Sequence, residues 1–205
     1  MPLPFALRIG AAAAAIVAAT FAMPQPSWAQ NPPPPAATKP ADPGQGVTPQ
    51  PGDAFGEDAT LTAKPVVYVK GTGTWDNAYE TVANSFKKLK AYVDKEGLKS
   101  DGLPMTIFTS TDDTGFQYQA EIPIAAPPKM PPRGDIALGQ SPEGHALKFV
   151  HRGSYDGLDN TYEAITNYLD EKRLEAKDLF IEEYVTDPVP GNENNLVVNV
   201  YVLIK

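Results

Sequence analysis

The stretch His145–Pro188, HALKFVHRGSYDGLDNTYEAITNYLDEKRLEAKDLFIEEYVTDP, decides how the rest of the chain is read. It holds a strand, a Gly-containing turn, an amphipathic helix and a second strand bearing two adjacent acids and a tyrosine. Upstream, the chain repeats this unit. Trp75–Glu80 (WDNAYE) lies over Leu158–Glu163 (LDNTYE) at an offset of 83, Thr111-Asp112 over Thr186-Asp187 at 75, and Phe116–Ile124 over Leu196–Ile204 at 80.

The upstream copy supplies its own signals. Pro65–Lys70 (PVVYVK) reads as a strand, and Gly71-Thr72-Gly73-Thr74 as a turn whose last threonine caps a helix. That helix runs from Trp75 to about Glu96, because Ala78, Val82, Phe86, Leu89 and Val93 recur three or four apart, and Gly97 stops it. Met105–Ser110 is a strand, Thr111–Gly115 a turn, and Phe116–Ile124 alternates as a half-buried strand does. The falling offset means that the first helix and its exit loop are longer by about two turns. Pro127–Gly144, rich in Pro and Gly, connects the copies.

The matched order of elements predicts an α+β fold, a duplicated βαββ unit forming one antiparallel sheet with helices on one face. The domain is expected over residues 64–205, with halves of about 64–126 and 144–205, and the uncovered sheet face is expected to form a central ligand groove.

The flanks set the context. Leu3–Phe21 carries one cation, Arg8, ahead of an apolar run, and Ser27-Trp28-Ala29 places small residues before a cut. This is the three-part pattern of a signal peptide over residues 1–29, and the run is shorter than the ~20 residues a spanning helix needs. Export to the periplasm or medium is expected, with no stable membrane span after cleavage. Residues 30–63 begin with a Pro-rich stretch that has little to bury, and read as a disordered linker. The 205-residue chain has no cysteine, which excludes disulfides, thiolate catalysis and thiolate metal sites. Its net charge of −8 does not suit a nucleic-acid binder.

Gly144–Leu158 (GHALKFVHRGSYDGL), Tyr162, Ile181–Pro188 (IEEYVTDP) and the closing Val198–Ile204 strand resemble the GyrI-like small-molecule-binding domain, the effector-binding domain of many AraC-type and MerR-type regulators. The resemblance implies the same duplicated βαββ fold. It also implies a pocket between the halves, lined by aromatics, with an acid at its base. Members of the family bind varied organic molecules, often cationic and lipophilic, and some stand-alone members resemble hydrolases with a glutamate and an aromatic residue at the site. Here a signal-peptide pattern, and no helix-turn-helix pattern, stands ahead of the domain, so a transcriptional role is not expected.

Glu182 and Glu183 are neighbours on a strand and point to opposite faces, whereas Glu182 and Tyr184 share one. The resemblance points to Glu182 as the pocket acid with Tyr184 beside it. In the closing strand Leu196, Val198, Val200, Val202 and Ile204 make a core face, leaving Asn199 and Tyr201 on the other. With Gln119 and Glu121 from the first copy, these are expected to floor the groove. Tyr68, Trp75, Phe149 and Tyr155 are candidate aromatic walls. Rings around one carboxylate suit an organic cation. His145 and His151 stand roughly 20 Å apart on an extended strand and cannot share one metal. A related SOUL-like fold binds haem, yet no Cys or Met partner accompanies either histidine, so no metal or cofactor is expected.

Three functions fit these residues. The leading one is an exported protein that binds a small organic molecule, as a monomer or weak dimer. The second is a hydrolase of an electrophilic small molecule using Glu182 and Tyr184 in the same groove. The third is an envelope protein-interaction module tethered by the Pro-rich segment.

Overall fold

The computed structural model describes residues 53–205. The expected signal peptide and residues 30–52 of the expected linker lie outside the described residues. In chain order the elements are β1 (Phe55–Leu61), β2 (Pro65–Thr74), α1 (Ala78–Lys95), β3 (Met105–Thr111), β4 (Gly115–Pro123), β5 (Ala137–Gln140), β6 (Gly144–Gly153), α2 (Leu158–Lys172), β7 (Ala176–Tyr184) and β8 (Leu196–Ile204). One 3-10 turn precedes each helix, at Trp75–Asn77 and Tyr155–Gly157.

The eight strands form one antiparallel sheet in the order β1-β6-β8-β7-β3-β4-β2-β5. The two βαββ copies, β2-α1-β3-β4 and β6-α2-β7-β8, are its inner blocks. They join at β3 and β7, where Thr106 pairs with Glu182 and Ile107 with Ile181. Both helices pack on one side. Val82, Phe86 and Leu89 of α1 and Leu158, Ile165 and Leu169 of α2 share one core with Val69, Phe116, Phe149, Tyr184 and Val200. The expected fold class stands.

The sheet is strongly curled, and the connections show why. β1 ends at Leu61 and β2 begins at Pro65, yet the two strands lie at opposite sides of the strand order. Three linking residues span only about 10 Å, so the sheet edges must come close together. Lys64 and Ser141 fasten this junction, with Ser141 N–H donating to Lys64 O at 2.9 Å and Lys64 N–H donating to Ser141 Oγ at 3.0 Å. The face without helices is therefore the inside of a half-barrel. It holds its own apolar cluster of Met105, Ile107, Ala146, Ile181 and Leu203. Two of the residues expected to floor a groove on that face are buried there, Glu121 fully and Asn199 at 7 % exposure.

Local readings shift in four places. Residues 55–61, assigned to the linker, are β1, because the edge of β6 offers unpaired backbone and Phe55 packs edge-on against Phe149 at 5.1 Å. The Pro127–Gly144 connection contains β5, which covers the edge of β2. Gly71–Thr74 is not a turn but the end of β2. A Cβ at Gly71 or Gly73 would meet the ring of Tyr118 at 2.8 Å or of Phe116 at 2.5 Å, so glycine lets those rings lie across the strand. Finally, the helices begin 80 residues apart, at Ala78 and Leu158, not 83. A slip of three nearly preserves a helical face, which is why Ala78, Val82 and Phe86 still match buried Thr161, Ile165 and Leu169 at the longer offset.

Candidate functional site

Glu182 sits near the end of β7 on the helix side of the sheet, paired with Thr106 of β3 and Val200 of β8. It is 1 % exposed. Both of its oxygens are engaged: the Tyr162 hydroxyl donates to Oε1 at 2.7 Å and the Tyr184 hydroxyl to Oε2 at 2.5 Å. Tyr162 comes from α2, one turn after Leu158, so the helix face that packs on the sheet also delivers its hydroxyl to the strand acid. Burial pushes the Glu182 carboxyl up to about 7, against the opposing pull of the two tyrosine hydroxyls. Burial and the Glu182 charge raise Tyr155, Tyr162 and Tyr184 well above the ordinary tyrosine range, so all three stay protonated donors. Thr106, beside Tyr184, is fully buried and its hydroxyl makes no hydrogen bond of good geometry.

A cleft of about 610 Å³ opens above this acid, between α2 and the β3–β4 turn. Its rings are Trp75, Phe108, Tyr155, Tyr162 and Phe180, and its acids are Asp112, Asp113, Asp156, Asp159 and Glu182, with no lysine or arginine in the wall. The rings brace one another. Tyr162 meets Phe180 edge-on at 5.3 Å, and Trp75 lies at 4.9 Å from Phe116 while its indole N–H donates to Asp112 O at 2.8 Å. Asp112 is held below the usual carboxylate range by hydrogen bonds from the Thr114 hydroxyl and the backbone N–H groups of Thr114 and Gly115. The mouth is therefore anionic and the walls aromatic.

The expected site residues divide into two groups. Glu182, Trp75 and Tyr155 line this cleft, and Tyr184 stands behind Glu182 as its hydrogen-bond donor. Gln119, Glu121, Asn199 and Tyr201 do not join them. They lie on the opposite sheet face, inside the half-barrel, where Met105 pairs with both Glu121 and Glu183. There Gln119 Nε2 donates to Glu121 Oε2 at 2.8 Å, and Asn199 Nδ2 and the Tyr201 hydroxyl donate to Glu183 Oε2 at 2.7 and 3.1 Å. Period two forces this split, because Glu182 pairs with Val200 and Glu183 with Asn199. Tyr68 pairs with Glu121 and shares its face, and Phe149 is core packed against Phe55 and Tyr168.

Sequence reasoning omitted Phe108, Phe180, Asp112, Asp113, Asp156 and Asp159, and gave Tyr162 no role. One of these carried a readable signal, since Phe180 is two residues before Glu182 on one strand; Phe108 joins it only through the strand register, as its cross-strand partner. The histidines are structural. His151 is fully buried, with Nδ1 2.8 Å from Thr161 Oγ1 and Nε2 2.9 Å from Ser154 O. The carbonyl requires a proton on Nε2, which leaves Nδ1 to accept from the threonine. His145 pairs with Asp58 at the surface at 2.8 Å. Among the described residues no group of three or more His, Asp or Glu side chains is placed to hold a metal, and no helix is long and apolar enough to cross a membrane.

A profile of the GyrI-like small-molecule-binding domain matches residues 59–205, so the chain belongs to that family. No curated protein matches. Solved structures share the fold at low identity. A chain of EcmrR, seen in a complex with DNA, superposes with a TM-score of 0.62 at 13 % identity, over 73 % of this chain and 56 % of its own. This chain thus spans little more than half the length of that regulator. The isolated EcmrR C-terminal domain gives 0.57 at 14 % identity, over 73 % of this chain and 96 % of its own. A hydrolase from Listeria innocua gives 0.53 at 15 % identity, over 73 % and 91 %.

Proposed function

We propose that this member of the GyrI-like small-molecule-binding family takes up a lipophilic organic cation in the Glu182 cleft, outside the cytoplasm. The observation that carries the reading is the wall of that cleft: five rings and five carboxylates, one of them fully buried, and no basic side chain. Rings present their negative faces to a cation, and the buried carboxylate supplies full charge where water is scarce. The two tyrosine hydroxyls hold that carboxylate in place, so little ordering remains for the ligand to impose. Arg8 and the apolar run after it support export.

Calorimetric titration of the chain with decyltrimethylammonium and with its neutral isostere, carbon in place of nitrogen, tests the reading. The cation is expected to bind at least about tenfold tighter, a difference of about 1.4 kcal/mol. Equal affinity, or no binding of the cation, defeats it. Because ionised Glu182 is the form that attracts a cation, affinity should rise as pH increases through about 7 and then level off.

One observation favours a second reading, a hydrolase. A carboxyl at about 7 is tuned for general-base work near neutral pH. Glu182 would take a proton from water, with Tyr162 and Tyr184 orienting its oxygens. Turnover of an electrophilic substrate that Glu182→Gln abolishes would establish this reading over simple binding.

A further inference from the structure

Each βαββ copy builds a cleft from its own helix start and the other copy's β–β loop. The Glu182 cleft combines α2 with residues 111–113 of the β3–β4 turn. A second cleft, of about 360 Å³, combines the start of α1 with Pro190, Gly191, Glu193 and Asn194 of the β7–β8 loop. The two share Trp75, Ala78, Tyr155 and Asp156. Trp75 and Tyr155 open the two 3-10 turns, 80 residues apart, and so occupy equivalent places in the duplication. The clefts are thus related as the copies are, and they meet at the seam.

The second cleft has the chemistry of an ammonium site in its own right. Trp75, Tyr79 and Tyr155 supply three rings, with Tyr79 and Tyr155 5.3 Å apart and tilted. Asp76, Glu80 and Glu193 add carboxylates to the shared Asp156, and no basic side chain lines the wall. The rings are fixed. The Tyr79 hydroxyl donates to Val189 O at 2.7 Å, and Tyr155 N–H donates to Glu193 O at 2.7 Å, which ties the β7–β8 loop to both helix starts. Three braced rings with carboxylates at the rim form the kind of aromatic box that holds an alkylated ammonium group.

We infer that the ligand is a dication, with one cationic centre in the Glu182 cleft, the second in the Trp75–Tyr79–Tyr155 box, and an apolar linker lying over the wall the two clefts share. The inference rests on the cation reading above and narrows it to molecules with two separated positive centres. Joining two weakly bound ends makes the second contact intramolecular, which multiplies affinity only when the linker length fits.

Calorimetry on the full chain tests this with alkylene bis(trimethylammonium) ions of increasing chain length, each against the alkyltrimethylammonium ion of the same length. One intermediate length should bind at least about tenfold tighter than its monocation, with shorter and longer members losing that advantage. In the double variant Glu80→Gln/Glu193→Gln the ratio of the two affinities should fall to about one, while in Glu163→Gln/Glu171→Gln, outside both clefts, it should persist. A ratio near one at every length, with the monocation still bound, overturns the inference and leaves the cation reading standing. An advantage that survives Glu80→Gln/Glu193→Gln overturns it too, since the second centre then lies elsewhere. Binding of neither ion overturns both.

Discussion

Glu182 and Glu121 are a matched pair of opposites. Each is a strand glutamate with essentially no exposure, and burial pushes each carboxyl up to about 7. Their surroundings differ. Glu182 lies on the helix side, has a tyrosine hydroxyl on each oxygen, and borders a cleft of about 610 Å³. Glu121 lies inside the half-barrel, has Gln119 on one oxygen, and leaves Oε1 without a partner. Burial and titration alone would rank them equal. What separates them is whether the acid is held ready and whether a ligand can reach it.

The largest effect is one the two acids should share. In each case the folded state favours the protonated form, so folding takes up a proton that the unfolded chain releases in the interval from about 4.5 to about 7. Their contribution to stability is full below about pH 4.5 and is lost as pH rises through about 7. At roughly 1.4 kcal/mol per pKa unit this amounts to about 3 kcal/mol for each acid. Urea melts across that range should show it, and Glu121→Gln and Glu182→Gln should each flatten the profile by a similar amount. If only one variant does, the two acids are not energetically alike.

Binding should part them. Glu182→Gln is expected to weaken decyltrimethylammonium by about 2 kcal/mol or more, as loss of one partner of a buried charge pair does. Glu121→Gln should leave that affinity unchanged in the same calorimetric assay. A loss in Glu121→Gln would place the ligand inside the half-barrel. In stability above pH 7, Glu121→Gln removes a buried, half-satisfied charge and should stabilise the fold by about 1–3 kcal/mol. Smaller still is Tyr162→Phe. It removes one hydroxyl from Glu182 and should lower cation affinity several-fold, about 1 kcal/mol, by raising the carboxyl pKa further. The pH at which affinity levels off should move upward with it.

The contrast also shows what could be read from residues alone. The duplication was legible because three segments repeat in the same order at offsets of 75 to 83, and the faces of β7 and β8 followed from period two. The pocket acid and its tyrosine came from the resemblance of Ile181–Pro188 to a family pattern. What misled was the closing of the sheet. Alternation says that Gln119, Glu121, Asn199 and Tyr201 share a face, but not that the face curls inward and buries itself. That curl depends on β1 and β5. Both are short edge strands in polar or Pro- and Gly-rich surroundings, and long-range pairing rather than local propensity forms them. The acidic turn Asp112-Asp113 reads as an ordinary loop until the fold brings α2 opposite it.

The most direct test of the Glu182 site is the number of protons released when decyltrimethylammonium binds. It is obtained near pH 7 from calorimetric titrations in buffers of different ionisation enthalpy. With Glu182 about half protonated there, binding should expel roughly half a proton per ligand, since the cation favours the ionised form. Glu121→Gln should release as much, and Glu182→Gln none. Proton release that persists in Glu182→Gln, or that disappears in Glu121→Gln, contradicts the assignment of the site to Glu182.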